Sequence, residues 1–89
     1  MSSEKEIAIR IGIRIKELRM RANLSQIELA FRCNFEPSNL NRIEAGRTFP
    51  TIKTLCKIAN GLDVPFHALT DYIKQLPPIT APPNFYAKL

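Results

Sequence analysis

The chain has 89 residues, an apolar fraction of 45% and a formal net charge of +5. This length provides one domain with a small core, and the apolar fraction argues against disorder throughout. Residues 10–57 hold ten lysines and arginines against four acidic residues, whereas residues 58–89 hold two of each. A basic excess in the first two thirds of the chain favours a polyanionic partner such as nucleic acid. A generally basic, soluble surface is the alternative.

The sequence disfavours a metal site, a signal peptide and a membrane span. Cys33 and Cys56 form no C-x-x-C, so we expect both to be small buried core residues. His67 and Asp63 are four residues apart but lack a third ligand, and we expect no metal. The polar N-terminus shows no signal peptide and no stretch reaches 18 apolar residues, so we expect a cytoplasmic protein without a membrane span.

Residues 4–22 carry two competing periodicities. The isoleucines at alternate positions from Ile7 to Ile15 are typical of a strand. Spacings of 4, 4, 3 and 4 residues also define one helical face, formed by Ile7, Ile11, Ile15, Leu18 and Ala22. Because acidic residues start the segment and basic residues end it, we predict a helix over residues 4–22. A second apolar stripe then requires a cover, and it consists of Ile9, Ile13 and Met20.

The second helix is predicted after a break at residues 23–24. Ser25 and Glu28 have the spacing of a capping box, in which each side chain accepts from the other residue's backbone N–H. We therefore predict a helix over residues 26–32. Leu24 and Leu29 occupy the positions of the flanking hydrophobic staple.

The third helix is predicted from residues that favour turns and helix ends. Asn34 is suited to a left-handed turn, and Pro37 is suited to the first turn of a helix, where its missing N–H costs nothing. The helix should run to about Ala45 and stop at Gly46.

Two further helices are predicted. Thr51 caps the fourth, which we expect to end at Asn60-Gly61. Asp63 and Pro65 are interpreted as the cap and the first turn of a short fifth helix. The apolar residues of these two helices are Ile52, Leu55, Ile58, Ala59, Phe66, Leu69 and Ile73.

The C-terminal segment is rich in proline. Four prolines between positions 77 and 83 exclude a helix there, so we divide the chain into a domain of residues 1–76 and a tail of residues 77–89. Large apolar side chains around the prolines are interpreted as the cover for the second stripe of the first helix, within the chain or across a dimer. A ligand-binding patch is the alternative. These side chains belong to Tyr72, Ile73, Leu76, Phe85 and Tyr86.

Residues 25–46 together predict a helix-turn-helix unit that presents its second helix to the DNA major groove. Leu40 and Ile43 should face the core, so the opposite side of that helix is open to a partner. Asparagine pairs with adenine edges and arginine with guanine edges, whereas Ser38 can bond a base or a phosphate and Pro37 offers only apolar contact. The candidate base-reading residues are Pro37, Ser38, Asn41 and Arg42. The alternative is the ordinary solvated surface of a small helix.

Separate blocks agree in order and spacing with a known family. They are residues 11–12 (IG), 15–19 (IKELR), 24–30 (LSQxELA), 39–47 (NLNRIEAGR), 50 (P), 55–59 (LxxIA) and 62–64 (LDV), where x marks a position that is not part of the match. In these blocks the chain resembles the lambda-repressor-like, or XRE-type, helix-turn-helix regulators. The resemblance covers roughly residues 8–70. It implies an all-α fold, a compact bundle of five helices whose second and third helices form the reading unit.

The resemblance also implies roles for individual residues. Gln26 is similar to a phosphate-contacting glutamine at the start of the second helix, and Arg47 resembles a contact to the DNA backbone. Arg19 and Glu44 are similar to a paired arginine and glutamate that tie the first helix to the reading helix. Such a pair fixes orientation even when its net stabilisation is small. The positions that read bases in the family correspond to Pro37, Ser38, Asn41 and Arg42.

Three residues depart from the family's usual pattern. Asn34 replaces a turn glycine, which is tolerable. Glu36 stands near a position that is usually serine or threonine, where it is a poorer cap and repels phosphate. Pro37 stands near a usual arginine or glutamine and cannot donate a hydrogen bond to a base. Specificity should therefore rest on residues later in the helix, namely Ser38, Asn41 and Arg42.

The leading hypothesis is a dimeric transcriptional regulator that binds a palindromic operator in double-stranded DNA without a cofactor. Small members of the family include phage repressors and restriction–modification controller proteins. The alternative is an antitoxin that represses its own operon, with the tail as its toxin-binding segment. A toxin or RNA polymerase is the candidate protein partner. An enzyme is disfavoured, since no nucleophile–base pair, glycine-rich phosphate loop or metal cluster is present.

Overall fold

The computed structural model describes residues 3–70. This part of the chain contains five α-helices and no strand. The helices are α1 (Glu4–Arg21), α2 (Gln26–Cys33), α3 (Pro37–Glu44), α4 (Ile52–Leu62) and α5 (His67–Thr70). The all-α class and the number of helices are confirmed, whereas the predicted tail and Ile73 lie outside the described residues.

The isoleucine-rich segment is helical and forms α1. The Ser3 side chain accepts a hydrogen bond from the backbone N–H of Glu6 at 3.1 Å, which caps the start of the helix. Ile11 and Ile15 are buried in the core, where α1 packs against α3, α4 and α5. Ile13 remains 45% exposed, and the segments predicted to cover it lie outside the described residues. No helix in residues 3–70 has the length and apolar character needed to cross a membrane.

The core lies where the helices meet, and all five contribute to it. Gly12 permits the closest approach between α1 and α3, because a Cβ at this position would lie 2.4 Å from the carbonyl oxygen of Ile43. The buried core residues are Ile11, Ile15, Leu24, Leu29, Ala30, Cys33, Leu40, Ile43, Leu55, Ile58, Ala59, Leu62 and Leu69. Both members of the predicted hydrophobic staple, at positions 24 and 29, belong to this cluster.

The fourth helix extends one residue beyond its predicted end at Asn60-Gly61. The helix continues through Asn60 and Gly61 to Leu62, and Asp63 ends it in the left-handed conformation with φ of 57°. Asp63 is therefore a C-cap of α4, not the N-cap of the next helix. Gly61 serves close packing, because a Cβ there would lie 2.6 Å from the Cys33 sulfur on α2.

The two cysteines have different environments. Cys33 is buried, as predicted, and its Sγ donates to the carbonyl oxygen of Lys57 at 3.4 Å. Burial raises the pKa of the Cys33 thiol, which keeps it protonated. Cys56 is exposed, so its predicted burial is wrong. The buried face of α4 is formed by Leu55, Ile58, Ala59 and Leu62, and position 56 falls beside that face.

Candidate nucleic-acid interface

The turn between α2 and α3 orients the second helix of the predicted reading unit. Asn34 adopts the left-handed conformation with φ of 59°, as its sequence position predicts. Glu36 is the N-cap of α3 but makes no side-chain capping hydrogen bond. Pro37 follows at the first helical position, where its fixed φ favours the helix and no N–H is left unpaired. The start of α3 is therefore set by proline rather than by a polar cap.

One side of α3 is buried and the other is open to solvent. Leu40 is fully buried and Ile43 nearly so, which attaches the helix to the core. The four predicted base-reading residues are all exposed, and they are Pro37, Ser38, Asn41 and Arg42. Their spacing places them along one side of the helix within six residues. The structure thus brings together the side chains that the sequence predicts to act together.

Arg19 and Glu44 form a two-pronged ion pair between the ends of α1 and α3. Nε of Arg19 donates to Oε2 of Glu44 at 2.7 Å, and Nη2 donates to Oε1 at 3.1 Å. The third prong, Nη1, donates to the carbonyl oxygen of Leu24 at 2.7 Å. The two charged residues are only 8% and 7% exposed. This pair therefore joins three parts of the chain at one buried point.

Gln26 connects this buried pair to the exposed side of α3. Its Nε2 donates to Oε1 of Glu44 at 3.0 Å, and its Oε1 accepts from Nδ2 of Asn41 at 3.4 Å. The resemblance predicts only a phosphate contact for Gln26. The link to Asn41 joins residues 15 positions apart, so no local sequence signal could have indicated it.

Arg42 has a separate partner on its own helix. Its Nη2 donates to Oδ1 of Asn39, a residue with no predicted role in DNA reading. Their separation of three positions is the one sequence signal for this contact. A cleft of about 280 Å³ separates α3 from the first turn of α4, and its lining includes Arg42, Asn39, Thr51 and Thr54. The Arg42 side chain is thus exposed and borders open space.

Arg47 lies just beyond α3, in the loop that leads to α4. Its backbone N–H donates to the carbonyl oxygen of Arg42 at 3.0 Å, and its side chain is exposed. A second exposed cation follows at Lys53 in the first turn of α4. Among residues 3–70, no three His, Cys, Asp or Glu side chains are grouped to hold a metal ion.

The helix–turn–helix of α2 and α3, with exposed polar residues on α3 and a buried ion pair that holds α3 to α1, is the arrangement typical of a DNA-binding domain. The family model for the helix-turn-helix, HTH_3, matches residues 15–69. The chain therefore belongs to this XRE-type helix-turn-helix family, which is a family of DNA-binding regulators and not of enzymes.

Two curated relatives are similar to this chain in sequence. The chain is 36% identical over 72 residues to the HTH-type transcriptional regulator SutR of Escherichia coli K12, which covers 81% of this chain and 38% of SutR. It is 35% identical over 60 residues to multiprotein-bridging factor 1 of Candida albicans, covering 67% of this chain and 40% of that protein. The chain thus spans about two fifths of the length of these relatives.

Solved structures of other proteins have the same fold. The restriction-modification controller protein C.AhdI of Aeromonas hydrophila matches with a TM-score of 0.69 and 31% sequence identity. The match covers 70% of this chain and 94% of that one.

Proposed function

We propose that the protein is a dimeric transcriptional regulator that binds a palindromic operator through α3. The observation that carries the proposal is the attachment of α3: its inner side is buried in the core and its last residue, Glu44, is held by Arg19. Side chains on a rigid helix can be presented to base edges in a fixed register. One such helix contacts few base pairs, so two-fold pairing of protomers would supply the remaining specificity.

Individual contacts follow from side-chain chemistry. Asn41 would pair with an adenine edge and Arg42 with a guanine edge. Ser38 would bond a base or a phosphate, whereas Pro37 would offer apolar contact to a thymine methyl group. Arg47 would contact the DNA backbone. Gln26, at the start of α2, would contact a phosphate.

Selection of bound sites from random double-stranded DNA tests this proposal. We expect the full-length protein to enrich two inverted half-sites whose centres lie about 10 base pairs apart, or a multiple of that spacing. Sedimentation of the protein with the enriched duplex should show two protomers on one site. Enrichment of a single half-site would contradict the dimer, and no enrichment would contradict sequence-specific binding altogether.

The antitoxin alternative receives no support from the relatives named above, none of which is described as an antitoxin. A toxin or RNA polymerase as partner stays a prediction, because the tail that would bind it lies outside the described residues. Deleting residues 77–89 tests the tail directly. Unchanged stability, dimerisation and partner binding would remove any role for it.

A further inference from the structure

The side-chain amide of Gln26 lies between a buried carboxylate and a proposed base-reading residue. One end of this amide contacts Glu44 at 3.0 Å and the other contacts Asn41 at 3.4 Å. Exposure increases along this series, since Glu44 is buried, Gln26 is half-buried and Asn41 is exposed. The buried carboxylate of Glu44 is thereby connected through hydrogen bonds to the exposed side of α3.

The chemistry of the carboxylate fixes the orientation of both amides. An ionised Glu44 can only accept hydrogen bonds, so Gln26 must turn its NH₂ group toward it. The carbonyl oxygen of Gln26 then faces Asn41, which must donate from its own NH₂ group. Because Arg19 holds both carboxylate oxygens at 2.7 and 3.1 Å, the carboxylate itself cannot turn freely.

We infer that Gln26 is a positioning residue that orients the Asn41 amide for adenine. With one N–H committed to Gln26, Asn41 retains a second N–H donor and its Oδ1 acceptor. These two groups match the N7 acceptor and the N6 donor that adenine presents in the major groove. If the Asn41 amide were turned over, its Oδ1 would face Oε1 of Gln26, two acceptors would meet, and the hydrogen bond would be lost. The inference rests on the proposed function, since it requires Asn41 to contact a base.

Arg42 provides an internal comparison on the same helix. Its hydrogen bond goes to Asn39, one turn away on the surface, and not to the Gln26 network. A change at Gln26 should therefore alter the base preference at the position read by Asn41 and leave the position read by Arg42 unchanged. A pure phosphate contact at Gln26 would instead weaken binding to all sequences alike.

The test compares base preferences selected from random duplex DNA by the wild-type protein and by Gln26→Met, which keeps the length of the side chain but removes its polar end. Asn41→Ala and Arg42→Ala identify the base position that each residue reads. A bidentate contact discriminates between bases by about 5- to 150-fold, and we expect Gln26→Met to remove most of that discrimination at the Asn41 position only. In the Asn41→Ala background, Gln26→Met should cause no further loss of preference at that position.

A second variant distinguishes loss of the Gln26 contacts from misfolding of the protein. Gln26→Asn keeps the amide but is one methylene too short to contact both neighbours, so it should show the same loss with a thermal unfolding curve close to that of the wild type. If the wild type selects a half-site and both variants keep its full base profile, the inference fails while the proposed function stands. If the wild type selects no site, the proposed function itself fails.

Discussion

The two helices of the reading unit have eight residues each but are secured at opposite ends. α2 is fixed at its start, where Ser25 and Glu28 exchange hydrogen bonds of 3.0 and 2.9 Å. α3 has no side-chain cap at its start and is fixed at its end, where Glu44 is buried against Arg19. The start of α2 is thus stabilised by contacts between residues close in sequence, whereas the end of α3 is held by a contact between residues far apart in sequence.

This difference bears on the proposed contact between α3 and DNA. No capping side chain from residues 3–70 covers the backbone N–H groups at the start of α3, and the buried pair of Arg19 and Glu44 holds the helix at its other end. The arrangement leaves Pro37 and Ser38 accessible, while the Arg19–Glu44 ion pair lies in the interior. Binding and stability should therefore depend on different residues of the same helix.

The largest effect is expected from breaking the Arg19–Glu44 ion pair, which holds the end of α3. Arg19→Ala leaves the Glu44 carboxylate buried with Gln26 as its remaining partner. Breaking a buried pair in this way lowers the free energy of unfolding by about 3–5 kcal/mol. Urea denaturation of both proteins measures the difference.

The matched control for Arg19→Ala is Arg21→Ala on the same helix. Arg21 pairs with Glu17 at 2.6 Å, but its side chain is 66% exposed. An exposed ion pair contributes about 0–1 kcal/mol, so the control should be nearly as stable as the wild type. Equal losses for the two variants would show that burial of the Arg19 pair does not matter.

A smaller effect, confined to binding, is expected at the exposed side of α3. Arg42→Ala should weaken binding to the selected operator by about 1–3 kcal/mol and relax one base position. Its free energy of unfolding should change by less than about 0.5 kcal/mol, because the side chain is exposed. Titration of labelled duplexes, with each base pair varied in turn, measures the loss of binding free energy and the base position at which it occurs.

Arg32→Ala separates base reading from the general effect of lost charge. Arg32 is an exposed cation near the end of α2, where it donates to the carbonyl oxygen of Gly61 at 3.3 Å. Its removal lowers the net charge equally but should leave base preference unaltered. If Arg42→Ala instead weakens binding to random DNA as much as to the operator, Arg42 contacts a phosphate.

Local signals in the sequence account for most of the fold. The capping box at Ser25 and Glu28, the left-handed turn at Asn34 and the proline start of α3 each depend on residues within one helical turn of each other. Such features are determined by backbone chemistry before any packing occurs. They were therefore predictable without knowledge of the neighbouring helices.

Long-range packing accounts for what the sequence could not reveal. Glycine commonly marks the end of a helix, yet Gly61 lies inside α4. It is accommodated there because α2 packs too closely to leave room for a side chain. Cys56 lies in an apolar segment but falls beside its buried face. Within the candidate site, the contact from Asn41 to Gln26 depends on how two helices cross, which periodicity does not specify.

The smallest effect is expected at the start of α2 and depends on pH. Hydrogen bonds from the backbone N–H and the side chain of Ser25 lower the pKa of Glu28 below its ordinary value of 4.5. Because the folded state favours the carboxylate, its stabilising contribution is complete above pH 4.5 and is lost as the pH falls through the lower, folded-state pKa. Glu28→Gln should therefore be slightly less stable than the wild type at pH 7, with the gap closing in acid. Urea denaturation between neutral and acidic pH measures this gap. Glu36→Gln is the control, since Glu36 makes no capping hydrogen bond, and a gap for Glu28→Gln that does not change with pH would contradict the contribution of the charged cap.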